Sequence, residues 1–109
     1  EAKTIKNTNI VIIEGILILH FKELRDLYTL KIFISTPEKI RYIRRMKRDL
    51  NERGRTKESI EKQYFSSVKQ MHKKYVRPSK RHADVIIDGT KTGNDSMDFI
   101  TSFINSIVL

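Results

Sequence analysis

The sequence contains no cysteine among its 109 residues, which excludes disulfide bonds and thiolate metal sites within this chain. It also has no apolar run approaching the roughly 18 residues of a membrane-spanning helix, and it shows no internal repeat or low-complexity segment. Hydrophobic residues make up 39% and charged residues 32%, a balance typical of a globular chain. We therefore expect one small domain located in the cytoplasm.

Positive charge is what the sequence has in excess. The net charge of +9 indicates an anionic partner such as a nucleotide, a nucleic acid or an acidic lipid, although an ordinary basic surface would give the same value. Between Pro37 and Lys57, nine basic and three acidic side chains leave a net charge of +6. Six of the nine are arginine, whose rigid fork matches two phosphate oxygens at once. This segment favours either a mobile lid over a phosphate or a solvated basic helix face.

Hydrophobic periodicity predicts the order of strands and helices. Dense β-branched runs predict buried strands at 9–19, 30–34 and 83–87. Apolar spacings of three and four residues predict helices at 20–28, at about 37–52, at about 57–77 and from about 95 onward. The most regular apolar stripe, on the third of these helices, consists of Ile60, Tyr64, Val68, Met71 and Tyr75. This order predicts an α/β fold with a parallel sheet.

Turn and cap residues predict where the helices begin and end. Gly54 lies in a predicted turn, and Pro78 is expected to end the third helix, with Arg77 extended. The expected helix caps are Thr36 or Ser35, Thr56, and Asp95 or Ser96.

Glu14 is the first candidate site residue, because it directly follows the apolar run 10–13. A carboxylate at the end of a buried strand is expensive to bury without a partner. In α/β sheets, ligands collect beyond the carboxyl ends of the strands. Glu14 is therefore a candidate for the edge of a phosphate or magnesium site, and the alternative is a strand-ending glutamate at a turn.

Several short motifs, in order and without large gaps, resemble the second half of uridine-cytidine kinases. They include Glu14-Gly15-Ile16-Leu17, Leu24-Arg25-Asp26-Leu27, Arg44-Arg45, Arg48-Asp49, Glu52-Arg53-Gly54-Arg55, Gln63-Tyr64 and Ala83-Asp84-Val85-Ile86-Ile87. The resemblance covers roughly residues 9–95 and implies a P-loop kinase fold, a parallel sheet with flanking helices in which residues 37–75 form a helical-hairpin lid. Residues 1–109 would then be the C-terminal part of a single uridine kinase domain.

The resemblance also implies a reaction, pyrimidine salvage by transfer of the γ-phosphoryl group of ATP to the 5′-hydroxyl of uridine or cytidine with Mg²⁺. It implies a homotetramer that binds neither nucleic acid nor membrane. The residue roles it implies are Ile16 against the pyrimidine, Arg45, Arg55 and Gln63 against the nucleoside, Arg48 and Arg53 against the phosphates, and Glu14 near the metal and the transferring group.

Two features of the family have no counterpart in the sequence. A phosphate loop would read G-x-x-x-x-G-K-[ST], and none of the four glycines fits this spacing. The general-base aspartate implied by the resemblance would lie upstream of position 1. We therefore expect that the 109 residues alone are inactive and belong to a longer protein.

Two other functions remain open. One is a related P-loop kinase of the phosphoribulokinase or pantothenate kinase type, although the ERGR segment and the Gln63-Tyr64 pair favour uridine. The other is a basic nucleic-acid-binding module, which would expose lysines and aromatic residues on one surface. The three histidines lack metal-ligand spacing, so we expect no metal site on them.

Overall fold

Two parallel strands, β1 (Ile32–Ser35) and β2 (Val85–Asp88), form the sheet in the computed structural model, which describes residues 10–91 and 94–107. Their register runs from Ile32 opposite Val85 to Ser35 opposite Asp88. Parallel neighbours need a long crossover connection, and two helices provide it here. The α/β class and two of the predicted strands are confirmed, each displaced by one or two residues.

The strand predicted at 9–19 is wrong over its described part. Residues 10–15 are irregular, residues 16–20 form a bend and a turn, and Asn9 lies outside the described residues. Ile12 is 75% exposed. The physical reason is that a strand needs a neighbour to pair its backbone N–H and C=O groups, and among the described residues β1 and β2 pair only with each other.

The short helix predicted at 20–28 is present only as α1 (Lys22–Arg25). Before it, the chain turns so that Leu19 is buried. The guanidinium of Arg25 holds this turn, because its Nη1 donates to the carbonyl oxygens of Leu19 and His20 at 3.0 and 2.8 Å.

The basic segment forms helix α2 (Glu38–Glu52), which ends where the sequence predicted. Gly54 follows with φ of +60°, a left-handed conformation that glycine adopts without strain. The predicted caps are wrong, because Pro37 precedes the helix and no side chain caps it. The carbonyl of Thr36 instead accepts a hydrogen bond from Nη1 of Arg41 at 2.7 Å.

The second long helix, α3 (57–79), begins as predicted, with Oγ1 of Thr56 accepting a hydrogen bond from the N–H of Ser59 at 3.1 Å. Its α-helical parts alternate with two wider π-turns, in the order Lys57–Gln63, Tyr64–Val68 (π), Lys69–Met71, His72–Val76 (π) and Arg77–Ser79. A 3₁₀ turn, Lys80–His82, follows.

Pro78 does not end α3, and Arg77 is helical rather than extended, with φ of −59° and ψ of −44°. The second π-turn explains this difference. The N–H of Arg77 bonds to the carbonyl of His72, five residues back, and this wider turn gives the proline ring room that a regular helix denies it.

The packed interior lies between α2 and α3. Ile60 and Tyr64 are buried, and the ring of Tyr42 meets that of Tyr64 edge-on with centroids 4.8 Å apart. This confirms the first half of the predicted α3 stripe, whereas Met71 is 40% exposed. Ile43 and Leu50, two of the apolar residues whose spacing predicted α2, are also exposed, so they do not belong to the core.

The last helix, α4 (Asn94–Ile107), begins before Asp95 and Ser96, so neither is its cap. Ile100 and Phe103 are partly buried, as expected from the apolar spacing. Over the described parts of the chain, no helix has both the length and the apolar character needed to cross a membrane.

Candidate functional site

Three arginines surround the carboxylate of Asp49 at the tip of the α2–α3 hairpin. The side chain of Asp49 is 1% exposed, although it lies in the most basic part of the sequence. Its Oδ1 accepts a hydrogen bond from Nε of Arg48 at 3.0 Å and lies 3.8 Å from Nε of Arg53. Its Oδ2 lies 3.5 Å from Nη1 of Arg55. We call Arg48, Arg53 and Arg55 the tip arginines.

Neighbouring arginines favour the ionised form of Asp49. Burial alone would raise the pKa of this carboxyl group. The hydrogen bond from Arg48 and the surrounding arginine charges outweigh that effect, so the pKa of Asp49 lies below its ordinary value. The charges of Arg53 and Arg45 contribute in the same direction. A buried anion is thus held by cations that remain partly exposed.

Arg55 connects this cluster to helix α3. Its Nη2 donates to the carbonyl oxygen and the Oγ of Ser59 at 3.1 and 2.7 Å, and its Nη1 donates to Oε1 of Gln63. Its backbone N–H also donates to the carbonyl of Asp49 at 3.1 Å. The side chain of Gln63 is exposed beside this network, so its amide nitrogen faces solvent or a ligand.

The opposite end of the hairpin is tied to itself and to the sheet. The hydroxyl of Tyr64 donates to Oε2 of Glu38 at 2.9 Å, and Nζ of Lys69 lies 3.7 Å from the other oxygen. The hydrogen bond from Tyr64 lowers the pKa of Glu38, with help from the charge of Lys69. Nη1 of Arg44 donates to the carbonyl of Gly89, just beyond β2, at 2.8 Å. This end, the base of the α2–α3 hairpin, is therefore anchored, while the tip of the hairpin carries the arginines.

The remaining predicted site residues lie elsewhere. Glu14 and Ile16 are exposed in the irregular stretch before α1, and no described residue forms an ion pair with Glu14. Arg45 is partly buried on α2. The structure thus brings four predicted site residues into one network: Arg48, Arg53, Arg55 and Gln63. Among the described residues, no hydrogen bond or ion pair links this network to Glu14 or Ile16.

Sequence reasoning missed Asp49 and Ser59. In the sequence, Asp49 is one of three acids of a basic segment and part of the Arg48-Asp49 motif, and neither observation assigned it a role in the site. A usable signal is present in the sequence, because Asp49 follows Arg48 directly and precedes Arg53 by four residues, one helical turn. A single acid with arginines at both of these positions predicts an ion-pair centre rather than a solvated face.

Two further features bear on ligands. Across residues 10–91 and 94–107, no group of three or more histidine, aspartate or glutamate side chains could hold a metal ion. An open groove of about 520 Å³ lies between α2 and α3, and none of the predicted site residues lines it. Its lining residues are Tyr42, Ile43, Met46, Lys47, Leu50, Asn51, Lys57 and Glu61.

The chain is similar to a large group of enzymes. Residues 1–95 match the model of the Phosphoribulokinase / Uridine kinase family. The uridine kinase of Listeria monocytogenes serotype 4a (strain HCC23) is 46% identical over 99 residues, which are 91% of this chain and 47% of that relative. The uridine kinase of Clostridium tetani (strain Massachusetts / E88) is 42% identical over 108 residues, 99% of this chain and 52% of the relative. The chain therefore spans about half the length of the curated relatives it matches.

Proposed function

Because the chain belongs to the phosphoribulokinase / uridine kinase family, we propose that it forms part of a kinase that transfers the γ-phosphoryl group of ATP to the 5′-hydroxyl of uridine or cytidine. The observation that carries the proposal is the cluster of tip arginines beside Gln63. The arginines can contact an anion, and the adjacent Gln63 can contact a neutral polar ligand. In the reaction the 5′-oxygen forms the new bond to the γ-phosphorus, and the bond to the β,γ-bridging oxygen breaks. ADP leaves, and the hydroxyl proton passes to a base outside these residues.

Arg48 and Arg53 are proposed to contact the phosphates. Their side chains are 42% and 60% exposed, so a ligand can reach them without unfolding the hairpin. Charge spreads over the phosphoryl oxygens in the transition state, and fixed cations stabilise it there. Two guanidinium forks suit this task better than lysines, because each can bond two oxygens at once.

Arg55, Gln63 and Arg45 are proposed to contact the nucleoside. A pyrimidine nucleoside is neutral and carries both donors and acceptors, which an amide can match. The bond from Arg55 to Oε1 of Gln63 fixes the orientation of that amide, and no acceptor in the described part of the chain bonds its nitrogen, which can donate to a ligand. Arg55 also pairs with Asp49, so it links the nucleoside side of the site to the phosphate side.

Glu14 and Ile16 complete the proposed site from the stretch before α1. Mg²⁺ in phosphoryl-transfer enzymes keeps several waters and is bound by the substrate phosphates and one or two carboxylates. Glu14 is exposed and has no ion-pair partner among the described residues, so its carboxylate fits this ion. Magnesium would supply positive charge against the phosphate oxygens. Ile16, which is 71% exposed, offers an apolar surface for the pyrimidine ring.

The domain organisation and cellular setting are part of the same proposal. We infer that residues 1–109 are the C-terminal part of one P-loop kinase domain, that residues 37–75 act as its lid, and that the enzyme works in the cytoplasm as a homotetramer. Family membership supports the domain assignment, and the anchored base of the α2–α3 hairpin supports the lid.

A chimera tests the proposal. The portion of the Listeria monocytogenes uridine kinase that this chain does not match is joined to the chain, and ATP-dependent phosphorylation of uridine is measured. We expect turnover by the chimera and none by the 109 residues alone. Turnover by the isolated chain would contradict the expected inactivity. A folded chimera that phosphorylates ribulose 5-phosphate or pantothenate instead of uridine would favour the related kinases.

A further inference from the structure

We propose that Asp49 is a positioning residue, which arranges the tip arginines for a polyphosphate before any ligand binds. The proposal rests on the phosphate-binding role given above to Arg48 and Arg53. Asp49 does not contact the ligand itself, since its side chain is 1% exposed. It acts through the arginines around it.

The atoms that pair with Asp49 determine which atoms remain available. Arg48 and Arg53 approach Oδ1 of Asp49 through Nε, at 3.0 and 3.8 Å. Among the described residues, no acceptor bonds the Nη1 or Nη2 atoms of either arginine. The end of each guanidinium fork is therefore open, and this is the edge that grips two oxygens of a phosphate.

Charge explains why an acid is needed at this position. Three guanidinium groups at the end of one hairpin repel each other, and without an anion this repulsion would spread their side chains. Asp49 supplies one negative charge from inside the cluster. Its carboxylate accepts a hydrogen bond from Arg48 and lies close to the other two arginines. Neutralising one charge of three leaves a net attraction for a polyphosphate, with the arginines already placed.

The proposal predicts that Asp49→Asn changes the affinity for an anion in the direction opposite to the one that simple electrostatics predicts. Asp49→Asn keeps the size and an acceptor oxygen but removes a negative charge, so Coulomb attraction alone would tighten the binding of an anion. If Asp49 positions the arginines, affinity falls instead. Replacing a group that orients metal ligands typically costs about 10- to 100-fold in metal affinity, and by analogy we expect a loss of about tenfold here.

The experiment is calorimetric titration of the 109-residue chain with inorganic tripolyphosphate at low ionic strength. Glu52→Gln is the matched control, because it removes the same charge from the end of α2, is exposed, and has no ion-pair partner among the described residues. We expect Glu52→Gln to bind equally or more tightly and Asp49→Asn to bind about tenfold more weakly. Equal or tighter binding by Asp49→Asn overturns the inference alone. No binding by the wild-type chain overturns the phosphate site, and the inference with it.

A spectroscopic measurement on the wild-type chain covers the case in which Asp49→Asn does not fold. Positioning by Asp49 predicts that the Nε–H proton of Arg48, which bonds Oδ1 of Asp49, exchanges with water more slowly than that of Arg77, which is exposed and has no described partner. ¹⁵N-resolved exchange at the arginine Nε positions measures this. Exchange of the Arg48 proton at the rate of Arg77 would show that Asp49 does not hold this side chain, and would refute the proposal.

Discussion

Replacing Arg55 with lysine tests whether the fork of this arginine, rather than its charge, holds the tip of the α2–α3 hairpin to α3. The guanidinium donates to two oxygens of Ser59 and to Gln63, and it lies 3.5 Å from a carboxylate oxygen of Asp49. Lysine keeps the charge but has a single nitrogen at the end of its chain. It can satisfy one or two of these partners and cannot span all of them.

The expected magnitude follows from the bonds that are lost. Each hydrogen bond contributes about 0.5–1.5 kcal/mol net, and more with a charged group. Lysine retains part of the network, and the 27% exposed side chain of Arg55 allows water to replace some of the lost bonds. We therefore expect Arg55→Lys to lower the free energy of unfolding by about 1–2 kcal/mol. Urea unfolding followed by circular dichroism measures this, because the hairpin contains most of the helical structure.

The control for this prediction is Arg77→Lys, an identical change at an exposed arginine without a described partner. We expect this variant to stay within about 0.5 kcal/mol of wild type. If Arg55→Lys and Arg77→Lys have the same stability as wild type, the network around Arg55 contributes nothing measurable, and its role as a structural link is refuted.

Three other substitutions give independent tests. Gly54→Ala should lower the free energy of unfolding by about 1 kcal/mol, because the backbone at φ +60° is strained for alanine although nothing crowds the added methyl group. Urea unfolding measures this, and a variant as stable as wild type would show that the left-handed turn at Gly54 does not require glycine. In the chimeric kinase, Arg48→Ala and Arg53→Ala should lower kcat about 10- to 1000-fold, and wild-type turnover would make these arginines mere surface charge. There, Gln63→Ala should raise the KM for uridine about 5- to 150-fold and spare that for ATP; the reverse would place Gln63 on the phosphate side.

The elements that the sequence predicted correctly are those with local signals. Gly54 and Thr56 mark the turn and the cap between α2 and α3, and both are confirmed because their effects depend on neighbouring residues only. The apolar run 10–13 carries as strong a β signal as β1 and β2. It still forms no strand here, because a strand exists only with a neighbour to pair with, and composition cannot identify that neighbour.

The candidate site was predictable in its charges but not in its centre. The excess of arginine between Pro37 and Lys57 predicted either a lid over a phosphate or a solvated basic face, and the tip arginines do converge. Nothing in the composition indicated that Asp49 would be the buried residue of α2 while Ile43 and Leu50 remain exposed. Burial of a carboxylate depends on three side chains closing over it, and only the folded turn at Gly54 brings Arg53 and Arg55 back to it.

The two π-turns of α3 have a consequence for how the length of this helix can change over evolution. A π-turn contains one residue more than an α-turn between bonded groups, so it stores a single-residue insertion without rotating the helix on either side. Relatives that lack one residue within Tyr64–Val68 or His72–Val76 can therefore return to an α-turn there and keep the helix on both sides facing the same way. Gaps in alignments of this helix should gather at these two segments rather than fall evenly along it.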